Sequence, residues 1–383
     1  MNGLLPLLFL LLPVAAFSGW VLGRRRSERT SGARVSELST NYFRGLNYLL
    51  NEQQDQAIDA FIEAVQSDPD TSELHFALGN LFRRRGEYDR AVRVHEHLLS
   101  RGDLPPADRV RAQHALALDF LKAGLLDRAE DALRKLENTP FETQARLALL
   151  AIYERSREWP QATEVAHKLE ASGEASFAGR LAHYLCEQAA ALTTAGDHEG
   201  ASRLLRQAIG DAPQSARPRI QLAALQRSLR QHDAALKTLQ DLTEATPDAT
   251  PLVAVSLAET ALACNQAAAA LALLRTSYEQ VPALDTMEAI VRLEAARSGD
   301  GREGYIRHLE HEPSLIAAAR WIAGEKLEHD QFHPLVQRAL DHAVKPLSRY
   351  RCAACGFEAK DHFWQCPGCQ AWDSYPPRRV EEL

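Results

Sequence analysis

An interval of 34 residues recurs along the middle of this chain of 383 residues. A repeat of roughly 20 to 50 residues is one supersecondary unit that cannot bury its apolar face alone, so neighbouring copies must stack to form a core. The chain is therefore expected to fold as an array of similar units rather than around one central core. The residues that share the interval are Gly45 with Gly79, Ala57 with Ala91, Ala201 with Ala235, and Pro213 with Pro247.

Within each interval the small, aromatic and proline residues follow the tetratricopeptide pattern of paired helices. Small residues where two helices cross let the backbones approach closely, and larger apolar residues fill the gaps between them. Weaker copies follow as far as Pro282, so we predict an all-α tetratricopeptide-repeat superhelix over residues 38–282. The first two copies are Gly45, Tyr48, Ala57, Phe61, Ala64 and Pro69, and Gly79, Phe82, Gly86, Tyr88, Ala91 and Leu98.

Residues 283–347 lose this consensus but keep a helical spacing of apolar residues, in 287–296, 315–321 and 335–344. A repeat array needs terminal elements that cover its last apolar face. We expect this segment to cap the array and to connect it to the carboxy-terminal tail.

Arrays of this kind bind proteins or peptides on a concave surface that is lined by exposed positions of the first helix in each repeat. Carrying the pattern over to this chain places Asn80, Arg83, Arg84, Lys122 and Arg227 on that surface. These residues form a candidate basic groove that can bind a partner's carboxylates. A solvated charged face is the alternative interpretation.

The amino terminus carries an apolar segment without charge. No charged residue occurs from Gly3 to Gly23, and these 21 residues would span about 30 Å as a helix, which is enough to cross a bilayer core. Arg24, Arg25 and Arg26 follow at once. Such arginines orient a membrane helix with its basic end in the cytoplasm.

A cleaved secretory signal is the rival interpretation, but it would carry its positive charge before the apolar core. We therefore predict a transmembrane helix at residues 1–23 and a basic juxtamembrane linker at 24–37. The amino terminus would lie in the periplasm and the bulk of the chain on the cytoplasmic side.

Near the carboxy terminus, Cys352, Cys355, Cys366 and Cys369 form a CxxC pair, ten intervening residues and a second CxxC pair. Two thiolates in one tight turn can bind one metal ion, and a second such turn completes a tetrahedron. Gln370 stands where a glycine usually follows the last ligand, which predicts a less regular second turn. The tetrathiolate accommodates iron or zinc, and the spacing does not choose between them.

An apolar shell around this site is expected from Phe357, Phe363, Trp364 and Trp372. Because the protein fills all four coordination positions, the site is structural or redox-responsive rather than hydrolytic. We expect the ribbon of residues 348–383 to pack against the end of the array.

Composition excludes several classes of protein. With 44 Lys and Arg against 51 Asp and Glu, the formal net charge is −7, so the chain is not a polycation that binds nucleic acid. The sequence contains neither a GxxxxGK[ST] phosphate loop nor a GxSxG nucleophile elbow. We predict a binding protein and not an enzyme.

An apolar amino-terminal segment, a tetratricopeptide array and a rubredoxin-like metal ribbon together resemble the lipopolysaccharide assembly protein B family. The resemblance implies a single-pass inner-membrane regulator of lipopolysaccharide synthesis. Its most specific part is Tyr350-Arg351-Cys352-x-x-Cys355-Gly356-Phe357, followed by Trp364-x-Cys366-Pro367-x-Cys369-x-x-Trp372.

The resemblance also implies partners and a cofactor. Members of the family act with the membrane-anchored protease FtsH and promote degradation of LpxC, the deacetylase that commits material to lipid A. They also hold other lipopolysaccharide-synthesis proteins at the membrane and respond to an inner-membrane regulatory partner. Their metal is one iron ion, with zinc left open here. A passive scaffold for biosynthetic enzymes, a redox protein built on the ribbon, and a homodimer remain open alternatives.

Overall fold

The computed structural model describes residues 43–68, 71–173, 176–325 and 330–383. The predicted transmembrane helix and its three arginines lie outside the described residues. None of the described helices is long and apolar enough to cross a membrane. The chain divides into two compact units, of which the first ends at Ser156 and the second begins at Arg157.

The described part of unit one consists of helices and the short turns that join them. Consecutive helices pack against each other, and α3 also contacts α5, which is the stacking of first helices expected for successive tetratricopeptide repeats. The predicted helical repeats are confirmed in this unit. Its helices are α1 (residues 43–50), α2 (Gln54–Ser67), α3 (Ser72–Arg85), α4 (Tyr88–Ser100), α5 (Pro106–Ala123), α6 (Leu126–Arg134) and α7 (Glu142–Ser156).

The glycines of the first two repeats are explained by close packing. A Cβ atom at Gly79 would lie 2.5 Å from the ring of His95 on α4, and one at Gly45 would lie 2.9 Å from the ring of Phe61. These distances are too short for any side chain, so the helices can cross this closely only at glycine. Gly86 ends α3 with a φ of 83°, in the left-handed region that glycine adopts without strain.

A buried charge network joins the second and third repeats. Asp119 on α5 is fully buried, and its carboxylate accepts a hydrogen bond from Arg83 at 2.8 Å and contacts the Nδ1 atom of His95. Arg83 also donates to the side chain of Asn80. A buried carboxylate is stable only when such partners replace the water that it has lost.

Replacing Asp119 with Asn is expected to lower the free energy of unfolding by about 2 kcal/mol, because a neutral amide no longer compensates the charge of the Arg83 guanidinium and can accept hydrogen bonds at only one of its two atoms. Urea unfolding followed by circular dichroism measures the change. Asp131→Asn, at an exposed position on α6, is the matched control and should stay within about 0.5 kcal/mol of the parent. Equal stability of the two variants would contradict the assigned role of the network.

Unit two continues the repeats and ends in a small ribbon. Contacts of α9 with α11 and of α13 with α15 repeat the stacking of first helices. Its elements are α8 (Trp159–Ala171), α9 (Ala178–Ala195), α10 (His198–Asp211), α11 (Ala216–Ser228), α12 (His232–Ala245), α13 (Thr250–Ala263), α14 (Ala267–Gln280), α15 (Leu284–Ser298), α16 (Glu303–His311), α17 (Leu315–Ile322), α18 (His333–Leu347), β1 (Tyr350–Arg351) and β2 (Glu358–Ala359).

The segment predicted as a cap is helical, as α15 to α18. One cluster of buried apolar residues extends from Ala216 on α11 to Ala317 on α17. The cap helices therefore share a continuous core with the preceding repeats and do not form a separate one.

Candidate metal centre

The four cysteines lie on two similar turns of the ribbon. Cys352 and Cys355 occupy the turn between β1 and β2, which pair in antiparallel register. Cys366 and Cys369 occupy a second turn, which an isolated antiparallel bridge closes. Each CxxC pair thus lies at the tip of a hairpin, where both thiols can reach one ion.

The sulfur atoms have the spacing of a tetrahedral site. The Sγ atoms of Cys352 and Cys369 are 3.8 Å apart, and those of Cys355 and Cys366 are 3.7 Å apart. Four thiolates about 2.3 Å from one ion have a mutual spacing of about 3.8 Å. Within the described ranges, these cysteines are the only group of three or more His, Cys, Asp or Glu side chains close enough to hold a metal ion.

The two turns have the same hydrogen bonds. The N–H of Gly356 donates to the carbonyl of Cys352 at 2.9 Å, and the N–H of Gln370 donates to the carbonyl of Cys366 at 2.8 Å. Gly356 has a φ of 78° and Gln370 a φ of 61°. The prediction of a less regular second turn is therefore wrong. Gln370 adopts the same left-handed conformation in the second turn that Gly356 adopts in the first turn.

Gln370→Gly is expected to raise the free energy of unfolding of the ribbon by about 1 kcal/mol, since a left-handed backbone is unfavourable for a residue with a Cβ atom. Gly356→Ala, whose added methyl group would meet no other atom within 4 Å, should lower it by a similar amount. Thermal melts of the metal-loaded protein measure both changes. Changes of the same sign in the two variants would refute this explanation.

Several groups favour the thiolate form that a metal needs. A hydrogen bond with the Ser374 hydroxyl, at 3.3 Å, and backbone N–H groups of the turn lower the pKa of Cys352 to about 6. Burial opposes ionisation of Cys366, but the N–H groups of Cys369 and Gly368 outweigh it and lower its pKa. The turns therefore stabilise negative charge at the sulfur atoms of Cys352 and Cys366. At Cys355 the N–H of Phe357 acts in the same direction, but burial and the three neighbouring thiols outweigh it and raise the pKa of Cys355 to about 12.

Two tyrosines form the buried shell of the site. Tyr350 and Tyr375 pack with two of the ligand cysteines, and burial raises the pKa of both phenols, which keeps them neutral. The Tyr375 hydroxyl donates to the carbonyl of Phe357 at 3.2 Å. The side chains of Phe357 and Phe363, which we expected in this shell, are 44% and 38% exposed.

The ribbon contacts the repeats through residues on both sides of its second pair of ligands, because the Trp364 ring lies 6.1 Å from that of His183 and also packs against the main core cluster. The Trp372 ring stacks on His183 of α9, with 4.6 Å between the ring centroids. The same ring makes edge-to-face contacts with Trp159 of α8 and Tyr184 of α9, with 6.3 and 6.2 Å between the ring centroids. Aromatic contacts of this kind combine a large apolar area with a defined geometry.

A polar contact lies beside this stack. The Nε2 atom of the buried His183 is 2.9 and 3.0 Å from the two carboxylate oxygens of Asp373. Its Nδ1 atom faces an Arg217 nitrogen at 3.4 Å. Because the guanidinium can only donate, this geometry assigns His183 as a neutral ring that donates from Nε2 to Asp373.

The last residues of the ribbon bind the cap helices. Arg379 makes two hydrogen bonds to Asp285 of α15, at 2.8 and 3.0 Å. Glu382 accepts from the first N–H of α15, and Glu381 accepts from the first two N–H groups of α17. Carboxylates at helix amino termini satisfy otherwise unpaired donors. The ribbon thus contacts helices of unit two from α8 to α17, which include the expected end of the array and also helices far before it.

Comparison with known proteins agrees with this architecture. A family model described as a rubredoxin metal binding domain matches residues 350–376, and two tetratricopeptide repeat models match residues 74–110 and 192–255. Lipopolysaccharide assembly protein B of Escherichia coli (strain K12) is 33% identical over 98% of this chain and 99% of its own length. The chain belongs to the lipopolysaccharide assembly protein B family.

The Haemophilus influenzae lipopolysaccharide assembly protein B is 31% identical to this member of the family, over 99% of this chain and all of its own length. Among solved structures, a tetratricopeptide repeat protein from Parabacteroides merdae has a TM-score of 0.34 and 15% identity, covering 67% of this chain and 99% of that one.

In this lipopolysaccharide assembly protein B homologue, some of the candidate groove residues are paired with neighbouring side chains and others are exposed to solvent. Arg83 and Asn80 bind each other, and Arg83 is also held by Asp119. Arg84 and Lys122 are exposed. Of these four residues in unit one, Arg84 and Lys122 are thus the better candidates for contact with a partner.

Arg227 belongs to unit two and pairs with Glu259 at 2.9 Å. Glu259 also pairs with Arg292 of α15. Arg292 in turn lies 3.9 Å from Glu288, so this partly exposed cluster has two positive and two negative charges, and a partner's carboxylate would have to compete with Glu259 for Arg227. No sequence spacing indicated the two pairings of Glu259.

Proposed function

We propose that this protein is a membrane-tethered adaptor that regulates lipopolysaccharide synthesis by bringing the deacetylase LpxC to an FtsH-type protease. In this proposal residues 1–23 span the inner membrane and Arg24, Arg25 and Arg26 keep the bulk of the chain in the cytoplasm. Tethering raises the effective concentration of the repeats near other proteins of the same membrane. The name of the relatives refers to lipopolysaccharide assembly, and this supports a role in lipopolysaccharide synthesis.

The observation that carries the adaptor proposal is a pocket in unit one. Its cavity of about 150 Å³ has mostly apolar walls, with Asn80 and the exposed Arg84 among the residues around it. A partner's apolar side chain fits such a cavity, and a neighbouring carboxylate can bind Arg84. The lining residues are Leu46, Leu49, Phe61, Ala77, Asn80, Leu81 and Arg84.

We propose one iron ion as the metal of the four cysteines, which would act structurally. The tetrathiolate chemistry suits both iron and zinc. Elemental analysis of the purified protein distinguishes the two metals. An absorbance spectrum that changes reversibly on reduction would favour the redox alternative, and zinc in the site would exclude it.

The adaptor proposal is tested by the half-life of LpxC after depletion of this protein. We expect a severalfold longer half-life, which the parent gene restores and Cys366→Ser does not. Arg84→Glu combined with Lys122→Glu should restore turnover poorly, because reversed charges repel the partner's carboxylates. Arg93→Glu, an exposed charge reversal on the second helix of the same repeat, is the matched control and should restore turnover.

An unchanged half-life after depletion would reject the adaptor role. It would favour the passive scaffold, which needs contact with biosynthetic enzymes but does not affect their turnover. Full restoration by the Arg84 and Lys122 double variant would leave the adaptor role intact and would reject the pocket as its docking site.

A further inference from the structure

The last helix, α18, exposes an apolar face that the fold does not use. Phe332, Leu335 and Val336 are 53%, 56% and 42% exposed, and Ala339 and Ala343 are also exposed. Positions 332, 336, 339 and 343 have the spacing i, i+4, i+7 and i+11, so they form one stripe along the helix. We call these five residues the α18 apolar face.

A different stripe of the same helix packs against unit two. Val344 and Leu347 are half-buried against the main core cluster, and the His333 ring lies 3.2 Å from the carbonyl oxygen of Ile322 on α17. The helix contains no fully buried residue. Its position is therefore fixed by one stripe, while the α18 apolar face is free for another contact.

Basic residues border that face. Arg338, His342 and Lys345 have the spacing i, i+4 and i+7, and His342 lies two turns after Leu335, so this basic flank runs beside the apolar stripe. In the described part of the chain, none of the three forms an ion pair with a carboxylate. The acidic residue of the helix, Asp341, lies on the opposite side and accepts a hydrogen bond from Gln337.

We infer that the α18 apolar face lies on the surface of an anionic phospholipid bilayer. A helix with an exposed apolar stripe and a basic flank binds in the interface, with its apolar side chains among the acyl chains and its cations near lipid phosphates. The fifteen residues of α18 are too few to span a bilayer, so the helix would lie along it.

The charges favour a bilayer over a second copy of this chain. A two-fold interface uses the same patch on both copies. Two α18 helices paired antiparallel through their apolar faces would bring Arg338, His342 and Lys345 of each copy close to those of the other, and like charges repel. An anionic lipid surface instead attracts the whole flank. The inference relies on the membrane tether of the proposed function, but not on the protease or the deacetylase.

Site-specific photocrosslinking tests this inference on the purified full chain. A benzoylphenylalanine replaces Ala339, on the apolar face, and in a matched variant it replaces Asp341, on the opposite side. Both variants are reconstituted in vesicles of phosphatidylglycerol and phosphatidylethanolamine, and mass spectrometry measures the lipid adducts. We expect the yield at position 339 to exceed that at 341 severalfold. Replacing Arg338 and Lys345 together with Gln should lower it by about tenfold.

Equal yields at positions 339 and 341, or no lipid adduct at 339, would overturn the inference. A crosslinked dimer at 339 would overturn it in favour of a second copy. The same probe at Val336 guards against a local effect of one substitution, and the metal content of each variant reports whether unit two is folded. Because the vesicles contain neither protease nor deacetylase, a negative result leaves the adaptor proposal standing, and an unchanged deacetylase half-life leaves this inference standing.

Discussion

Removal of the metal is expected to unfold the ribbon and to lower the melting temperature of unit two. Structural metal sites contribute on the order of 10 kcal/mol to the folding of small domains, and this ribbon has only two short strands and a small buried cluster besides its four thiols. Cys366→Ser removes one fully buried ligand. Unfolding of the ribbon also removes its contacts with α8 and α9. The amides of these two helices, which are distant in sequence from the metal site, should therefore exchange their hydrogens faster.

Elemental analysis, thermal circular dichroism and hydrogen exchange measure this result. Cys264→Ser is the matched control, because Cys264 is a half-buried cysteine outside the site. The control should keep its metal and its melting temperature. A Cys366→Ser protein that lost its metal but kept the hydrogen-exchange protection of α9 would show that docking does not depend on the metal.

Trp372→Ala is expected to release the ribbon from the repeats while the metal stays bound. The substitution removes the stack on His183 and the edge contacts with Trp159 and Tyr184, but it leaves all four cysteines in place. Truncation of a half-buried tryptophan at a packed contact should lower the free energy of unfolding by about 3 kcal/mol. The substitution should also expose the His183 ring to solvent and weaken the hydrogen bond between His183 and Asp373.

Metal analysis and hydrogen exchange separate this result from general unfolding. We expect an unchanged metal content with faster exchange in α8, α9 and the turn that contains Asp373. Phe357→Ala removes an aromatic ring of the same ribbon that is 44% exposed, and it should leave exchange in α9 unchanged. Metal loss in Trp372→Ala, or unchanged exchange in α9, would contradict the proposed division between metal binding and docking.

Local and periodic signals account for the features that the sequence predicted. The 34-residue interval and the two CxxC pairs are patterns within short stretches of chain, and they indicated the helical repeats and the four-thiol cluster correctly. The conformation of Gln370 was missed because a residue other than glycine can adopt the left-handed region at a cost of about 1 kcal/mol, which the surrounding hydrogen bonds offset.

Features that depend on distant parts of the chain had no such signal. His183 and Asp373 are separated by 190 residues, and neither stands in a motif that indicates their contact. Arg83 stands where the repeat pattern predicts a groove residue. Its guanidinium nevertheless pairs with the carboxylate of Asp119, which lies 36 residues further on. Burial of a side chain and the identity of its partner follow from the packing of the whole unit.

The contacts of the ribbon along unit two change how that unit should unfold. An array of repeats in which each copy touches only its neighbours behaves as a one-dimensional chain, and its ends fray independently of its middle. Here one small element binds α8 and α9 near the start of the unit and α15 and α17 near its close. Opening at either end must then break a contact with the same ribbon, so unit two should unfold as one cooperative block rather than repeat by repeat.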